Sequence, residues 1–219
     1  MTLLLSSERE QIVNFGKKLI EHRLTRGTSG NLSIFNRREL LMAISPSGLD
    51  YSQTAPEDVV VIDLSGRVIE GEKNPSSEWM LHRILYENRV EISSVVHTHS
   101  PFSTVMSCLG WELPPLHYMI ALAGQTVRCA AYATFGTEEL AANAMLAMHD
   151  RNAVFLANHG LLAAGSDLAN AFHITEEIEF CSELYWRSKC VGEPMILCEA
   201  EMEAMKDRFR SYGQVKPAF

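Results

Sequence analysis

Apolar positions recur along this chain with two periods, and the places where one gives way to the other outline the fold. In "SSEREQIVNFGKKLIEHRL" Ile12, Phe15, Leu19 and Ile20 lie at helical spacing, with Ser7 and Glu10 placed for a capping box. "TRGTSGN" breaks that helix, and "NLSIF" and "ELLMAIS" read as strands. "DVVVIDLSGRVIEG" reads as a hairpin turning at Ser65-Gly66. "SSEWMLHRILYENR" reads as a helix after Pro75, with Trp79, Ile84 and Leu85 toward a core. "ISSVVHTH" is the next strand, and Ser100-Pro101 marks its exit. "SPFSTVMSCLG" and "TEELAANAMLAMHD" look helical, and "NAVFLANHGLLAAGS" reads as two short strands bent at His159-Gly160. "DLANAFHITEEIEFCSELYWRSKC" is a long helix, and "EAEMEAMKDRFRSYG" a last one ending near Gly213. Loose alternation with an embedded hairpin implies an α/β fold with a mixed, largely antiparallel sheet flanked by helices.

No linker, charge block or repeat interrupts the 219 residues, so one domain over 1–219 is expected. Composition is that of an ordinary globular protein, 47% apolar and 21% charged. A net charge of −8 argues against nucleic acid and anionic membrane surfaces as partners. No apolar run approaches the roughly 20 residues of a membrane span, and "MTLLLSSERE" lacks the basic start of a signal peptide. Five cysteines without a C-x-x-C pair suit a reduced, cytoplasmic chain.

The candidate chemistry begins with "SVVHTHSP". Side chains two apart on a strand share a side, so His97 and His99 point together at the end of an apolar run. That is a chelating geometry, and two surface histidines beside a turn is the ordinary alternative. His159 in "FLANHGLLAAG" also ends an apolar strand, beside a glycine that permits a sharp turn. Three imidazoles with an open fourth position suit a catalytic divalent metal.

A second constellation is "NPSSEW", where Ser76 and Ser77 follow Pro75 at an expected helix start. Free N–H groups and hydroxyls there suit a phosphate, and plain capping with Glu78 as a first-turn carboxylate is the alternative. Gly30 and Asn31 in "GTSGN" and Ser47 and Gly48 in "SPSGL" would extend the same donors into a cradle without lysine.

"GTSGNLS", "ISPSG", "NPSSEW", "VVHTHSP", "HYMIALAG", "YATFGTEEL", "NHGLLAAG" and "FRSYG" occur in an order that resembles the class II aldolase/adducin family over nearly the entire chain. The resemblance implies that His97, His99 and His159 bind zinc, with Mn2+ or Co2+ as substitutes. It implies that Glu78 is the catalytic acid/base, able to approach the metal when substrate is absent. Gly30, Asn31, Ser47, Gly48, Ser76 and Ser77 then bind the substrate phosphate. It further implies that Tyr118 enters a neighbouring subunit's site and that Tyr212 lies on a mobile C-terminal tail. The implied assembly is a homotetramer with sites near subunit interfaces. The implied reaction is reversible cleavage of a ketose 1-phosphate, such as L-fuculose or 5-deoxyribulose 1-phosphate, to dihydroxyacetone phosphate and an aldehyde such as lactaldehyde or acetaldehyde.

Family members also include pentulose-5-phosphate 4-epimerases, a methylthioribulose-1-phosphate dehydratase and noncatalytic adducin-like domains. The epimerases carry Asp after the double serine and another near Tyr118, whereas this chain has Glu78 and no acid in "HYMIALAG". An adducin-like head would not need the three histidines and Glu78 intact. His82, four residues after Glu78, is expected at the surface, with a supporting role behind the site as the alternative. His117 either lines the site or packs. His22, His149 and His173 read as structural or solvated, and "NAMLAMHD" as core helix.

Overall fold

A computed structural model describes residues 3–211 of the protein. The order is α1 (Ser6–Glu21), β1 (Asn31–Asn36), β2 (Leu41–Ile44), β3 (Val60–Asp63), β4 (Val68–Glu70), α2 (Trp79–Asn88) and β5 (Ser94–Thr98). It continues through α3 (Pro101–Leu109), β6 (Arg128–Ala130), α4 (Glu138–Ala147), β7 (Ala153–Leu156), β8 (Gly160–Gly165), α5 (Leu168–Val191) and α6 (Glu199–Ser211). Eight strands form one sheet in the order β4-β3-β2-β1-β5-β8-β7-β6. Neighbours are antiparallel except for β6 and β7, which run parallel.

Strict period-two alternation divides the central strands between two apolar layers. Met42, Ile44, Val95, Val154, Leu156 and Leu162 face one side, where Leu81 and Leu85 of α2 and Leu140 and Ala144 of α4 cover them. Ala43, Val61 and Val96 face the other side, against Ile12 and Leu19 of α1 and Phe172 of α5. Phe155, Leu161 and Ala163 continue that second side, beneath Met106 of α3 and Ile174 and Ile178 of α5. Trp79 and Ile84 are partly buried against the first layer, as their spacing predicts.

Two expectations need correction, and one strand has no counterpart in the sequence reading. The capping box at Ser7 and Glu10 does not form. The helix begins two residues earlier, with Leu5 at the cap position making no side-chain cap bond, and the Ser7 hydroxyl instead meets Gln11 Nε2 at 3.4 Å. Strand β6 has only three residues and no alternation to announce it; pairing with β7 defines it. The helix after "NPSSEW" starts at Trp79, so Ser76 and Ser77 precede it. Their segment pairs with the "ISPSG" loop through the Pro46–Pro75 bridge and the bonds Ser47 N to Asn74 O and Ser76 N to Ser45 O. Tyr212, and the helix end expected near Gly213, lie outside the described residues. Among the described residues no helix is long and apolar enough to cross a membrane.

Candidate active site

The sheet brings the separated motifs to one end of β1 and β5. Asn31 at the start of β1 pairs with His97 near the end of β5, and His97 pairs with Leu162 of β8. His159 sits in the tight connection between β7 and β8, so it reaches the same spot. Gly160 is required there, because a Cβ would lie 2.2 Å from Thr98 O and 3.1 Å from His99 Cδ2. Gly30 meets a similar demand: its φ is +76°, and a Cβ would lie 2.6 Å from His97 O.

The three imidazoles form a near-equilateral triangle, with ring centroids 5.0, 4.7 and 4.9 Å apart. One nitrogen of each lies within 4.8 Å of the others. His97 is fully buried, and its Nδ1 lies 2.9 Å from the carbonyl of Leu161. A carbonyl only accepts, so Nδ1 carries the proton and Nε2 presents a lone pair to the triangle. Burial holds His97 well below its usual pKa, and His159 and His99 push it further down. Burial likewise lowers His99 and His159. All three are therefore neutral at neutral pH.

Glu78 completes the cluster at the cap position of α2, yet its carboxylate makes no cap bond. Oε2 lies 3.4 Å from His97 Nε2 and accepts from Asn31 Nδ2 at 3.0 Å. Oε1 lies 3.3 Å from His159 Nε2, is buried, and has no hydrogen-bond partner. In front of this group opens a cavity of about 540 Å³. Gly30, Asn31, Ser47, Gly48, Ser76 and Ser77 all line it, together with Thr28 and Ser29, and among the described residues no lysine or arginine does. Its other wall is Tyr132, Ala133, Phe135 and Asn158.

Tyr118 does not line this cavity; it is half exposed on a 3-10 turn, with its ring stacked on Phe209 at 6.2 Å. His117 packs rather than lining the site: Met119 N donates to its Nδ1 at 3.4 Å, and its ring meets Phe180 edge-on. His22, His149 and His173 are exposed, and Ala144 and Met148 of "NAMLAMHD" are core. His82 is not at the surface. It is fully buried, because hydrogen bonds to Asn31 and Ser33 of β1 satisfy both ring nitrogens. The apolar wall comes from "YATFG", which the sequence offered as a family motif without a role for its aromatic residues.

Residues 10–186 match the model described as Class II Aldolase and Adducin N-terminal domain. The chain belongs to the class II aldolase/adducin family. A 5-deoxy-D-ribulose 1-phosphate aldolase of Bacillus thuringiensis serovar kurstaki is 55% identical over 97% of this chain and 100% of its own length. A 5-methylthioribulose-1-phosphate/5-deoxyribulose-1-phosphate aldolase of Rhodospirillum rubrum is 43% identical over 94% of this chain and 92% of its own. A solved L-fuculose 1-phosphate aldolase superposes with a TM-score of 0.93 at 50% identity, covering 95% of this chain and 98% of that one.

Class II aldolases are metal-dependent, and the site fits an ion. Tetrahedral coordination at about 2.0–2.1 Å separates ligand nitrogens by roughly 3.3 Å. His97 Nε2 and His99 Nε2 lie 3.1 Å apart. Neutral nitrogens converging beside a carboxylate with an unpartnered buried oxygen are a donor set for a cation.

Proposed function

We propose that this chain is a divalent-metal aldolase that reversibly cleaves a deoxyketose 1-phosphate to dihydroxyacetone phosphate and an aldehyde. The observation that carries the reading is the meeting in one cavity of the imidazole triangle, Glu78 and a hydroxyl- and N–H-rich cradle. Zinc is the favoured ion, since the donors are nitrogens and the reaction involves no redox change; Mn2+ or Co2+ would substitute.

The cradle of Gly30, Asn31, Ser47, Gly48, Ser76 and Ser77 holds the phosphate through neutral donors and sets which carbon lies beside Glu78. His97, His99 and His159 would hold the ion, which would supply Lewis-acid stabilisation of the negative charge left on the substrate when the C3–C4 bond breaks. In cleavage the C4 hydroxyl gives its proton to solvent by way of Tyr118, Glu78 takes one from solvent in exchange, the C3–C4 bond breaks, and the electron pair remains at C3. Glu78 then delivers a proton to C3, and in synthesis it removes that proton. Asn31 occupies Oε2, so Oε1 is the oxygen that moves the proton. Tyr118, reaching from a neighbouring subunit of a homotetramer, serves the C4 oxygen. The family motif gives Tyr212 a role at the same end of the substrate. The reduced cysteines and acidic charge suit a cytoplasmic enzyme.

Tyr132, Ala133 and Phe135 offer apolar surface to the substrate end away from the phosphate, which suits a deoxy carbon. The relatives above bear the names of 5-deoxyribulose, methylthioribulose and fuculose phosphates. A panel of fuculose, rhamnulose, 5-deoxyribulose and methylthioribulose 1-phosphates, compared as kcat/KM, tests the reading. Release of dihydroxyacetone phosphate is expected from 5-deoxyribulose 1-phosphate. Loss of water from methylthioribulose 1-phosphate without carbon–carbon cleavage would overturn the aldolase assignment. Tyr118→Phe and Tyr212→Phe should each lower kcat/KM with metal content unchanged.

A further inference from the structure

Behind Glu78 a line of buried polar side chains runs into the core between α2 and β1. Glu78, His82 and Tyr86 recur every four residues on one face of α2 and its cap, and Asn31 and Ser33 share one face of β1. Four helical residues advance about 6 Å and two strand residues about 6.8 Å, so the two rows stay in step. The contacts alternate across the interface. Asn31 Nδ2 lies 3.0 Å from Glu78 Oε2, and His82 Nε2 lies 2.5 Å from Asn31 Oδ1. His82 Nδ1 lies 2.6 Å from Ser33 Oγ, which lies 2.6 Å from the Tyr86 hydroxyl. All five residues are buried.

Hydrogen counting fixes the direction of every bond. An ionised carboxylate only accepts, so the Asn31 amide nitrogen donates and its Oδ1 must face His82. Oδ1 only accepts, so His82 Nε2 carries a proton. Burial, assisted by His97, pushes the His82 pKa down to about 3, so the ring is neutral and Nδ1 is an acceptor. Ser33 therefore spends its one proton on His82, and Tyr86, which also has the Ser33 carbonyl at 3.1 Å, turns its proton to the nearer Ser33 Oγ at 2.6 Å. Each donor points toward Glu78, and the bond dipoles reinforce one another.

We propose that His82 is a positioning residue for Glu78: through Asn31 it anchors a one-way hydrogen-bond chain that pins Oε2 and leaves Oε1 as the working oxygen. An amide in the middle does not relay protons, so the chain orients the carboxylate and conducts nothing. The proposal rests on the aldolase reading for the meaning of "working", and on geometry alone for the chain.

The test compares metal-loaded His82→Leu, His82→Asn and His82→Gln with wild type. The Gln amide nitrogen reaches the place of Nε2, whereas the Asn nitrogen reaches only that of Nδ1. The readouts are kcat and KM for 5-deoxyribulose 1-phosphate, deuterium exchange at C3 of dihydroxyacetone phosphate, metal content and melting temperature. His82→Leu and His82→Asn should lose about tenfold to hundredfold in kcat and exchange, the scale of a misplaced catalytic group. KM should stay within about threefold, the sign of a contact that acts in the transition state. His82→Gln should recover most of the loss. Wild-type kcat in folded His82→Leu, or equal activity of His82→Asn and His82→Gln, would overturn the proposal. Nitrogen-15 NMR of the wild-type holoenzyme decides the chain even where a variant does not fold. A neutral ring with its proton on Nε2 is expected, and a proton on Nδ1 would overturn it. A wild type that neither cleaves nor exchanges would instead sink the aldolase reading, with the tautomer still deciding the chain.

Discussion

Replacing Glu78 with glutamine separates proton transfer from everything else this side chain does. The carboxylate is buried, with Oε2 receiving the Asn31 amide at 3.0 Å and Oε1 without a hydrogen bond, 3.3 Å from His159 Nε2. Asn31 can pair only with an acceptor there, because His82 holds its Oδ1. The glutamine oxygen must therefore take the Oε2 position, which leaves its NH2 group where Oε1 was. Shape and the Asn31 bond survive, and the oxygen that receives the proton is gone. The loss should match general acid–base catalysis, about 10²- to 10⁴-fold in kcat. At 1.36 kcal/mol per decade that is roughly 3 to 5 kcal/mol of barrier. The assay is deuterium uptake at C3 of dihydroxyacetone phosphate in heavy water, which isolates this proton from carbon–carbon chemistry. Metal content and melting temperature should hardly change. Exchange at the wild-type rate in metal-replete Glu78→Gln would mean that another group moves the proton.

His97→Ala and His159→Ala should each lose bound metal and activity together, and full occupancy by elemental analysis in both would refute the triad. Gly160→Ala forces a Cβ to within 2.2 Å of Thr98 O. Overpacking of that kind destabilises by about 1–3 kcal/mol, so a lower denaturation midpoint and weaker metal binding are expected together. In metal-free protein, acidification should destabilise through His82, whose native pKa of about 3 lies below the ordinary histidine value of 6.5. Its stability contribution is complete above 6.5 and is lost as pH falls toward 3, by up to about 1.4 kcal/mol per pH unit. The melting temperature of His82→Gln should fall less over that window, and an identical slope would refute this.

Local periodicity made most of the architecture legible, because alternation and helical spacing record which side of an element is buried. His97 and His99 were readable as a pair from strand alternation alone, and His159 from a glycine at a strand end. The convergence of Asn31, Ser47 and Ser76 was not readable that way, since it depends on β1 pairing with β5 and on the Pro46–Pro75 bridge. His82 was misplaced for the same reason. A histidine on a helix is ordinarily wet, and only the Asn31 and Ser33 partners, 51 and 49 residues away, make its burial tolerable. Strand β6 left no periodic trace in three residues, and its identity comes from its neighbour. The roles proposed for the histidines and Glu78 rest on the family motifs more than on spacing.

The central claim, that this cavity performs metal-dependent aldol cleavage, is tested most directly by carbon-13 NMR of 5-deoxyribulose 1-phosphate incubated with purified protein. Signals of dihydroxyacetone phosphate and acetaldehyde should grow in equal amounts, vanish after chelation, and return when zinc is restored. Product formation that persists in protein proven free of metal would contradict the account, as would intact substrate with the three-histidine site fully loaded.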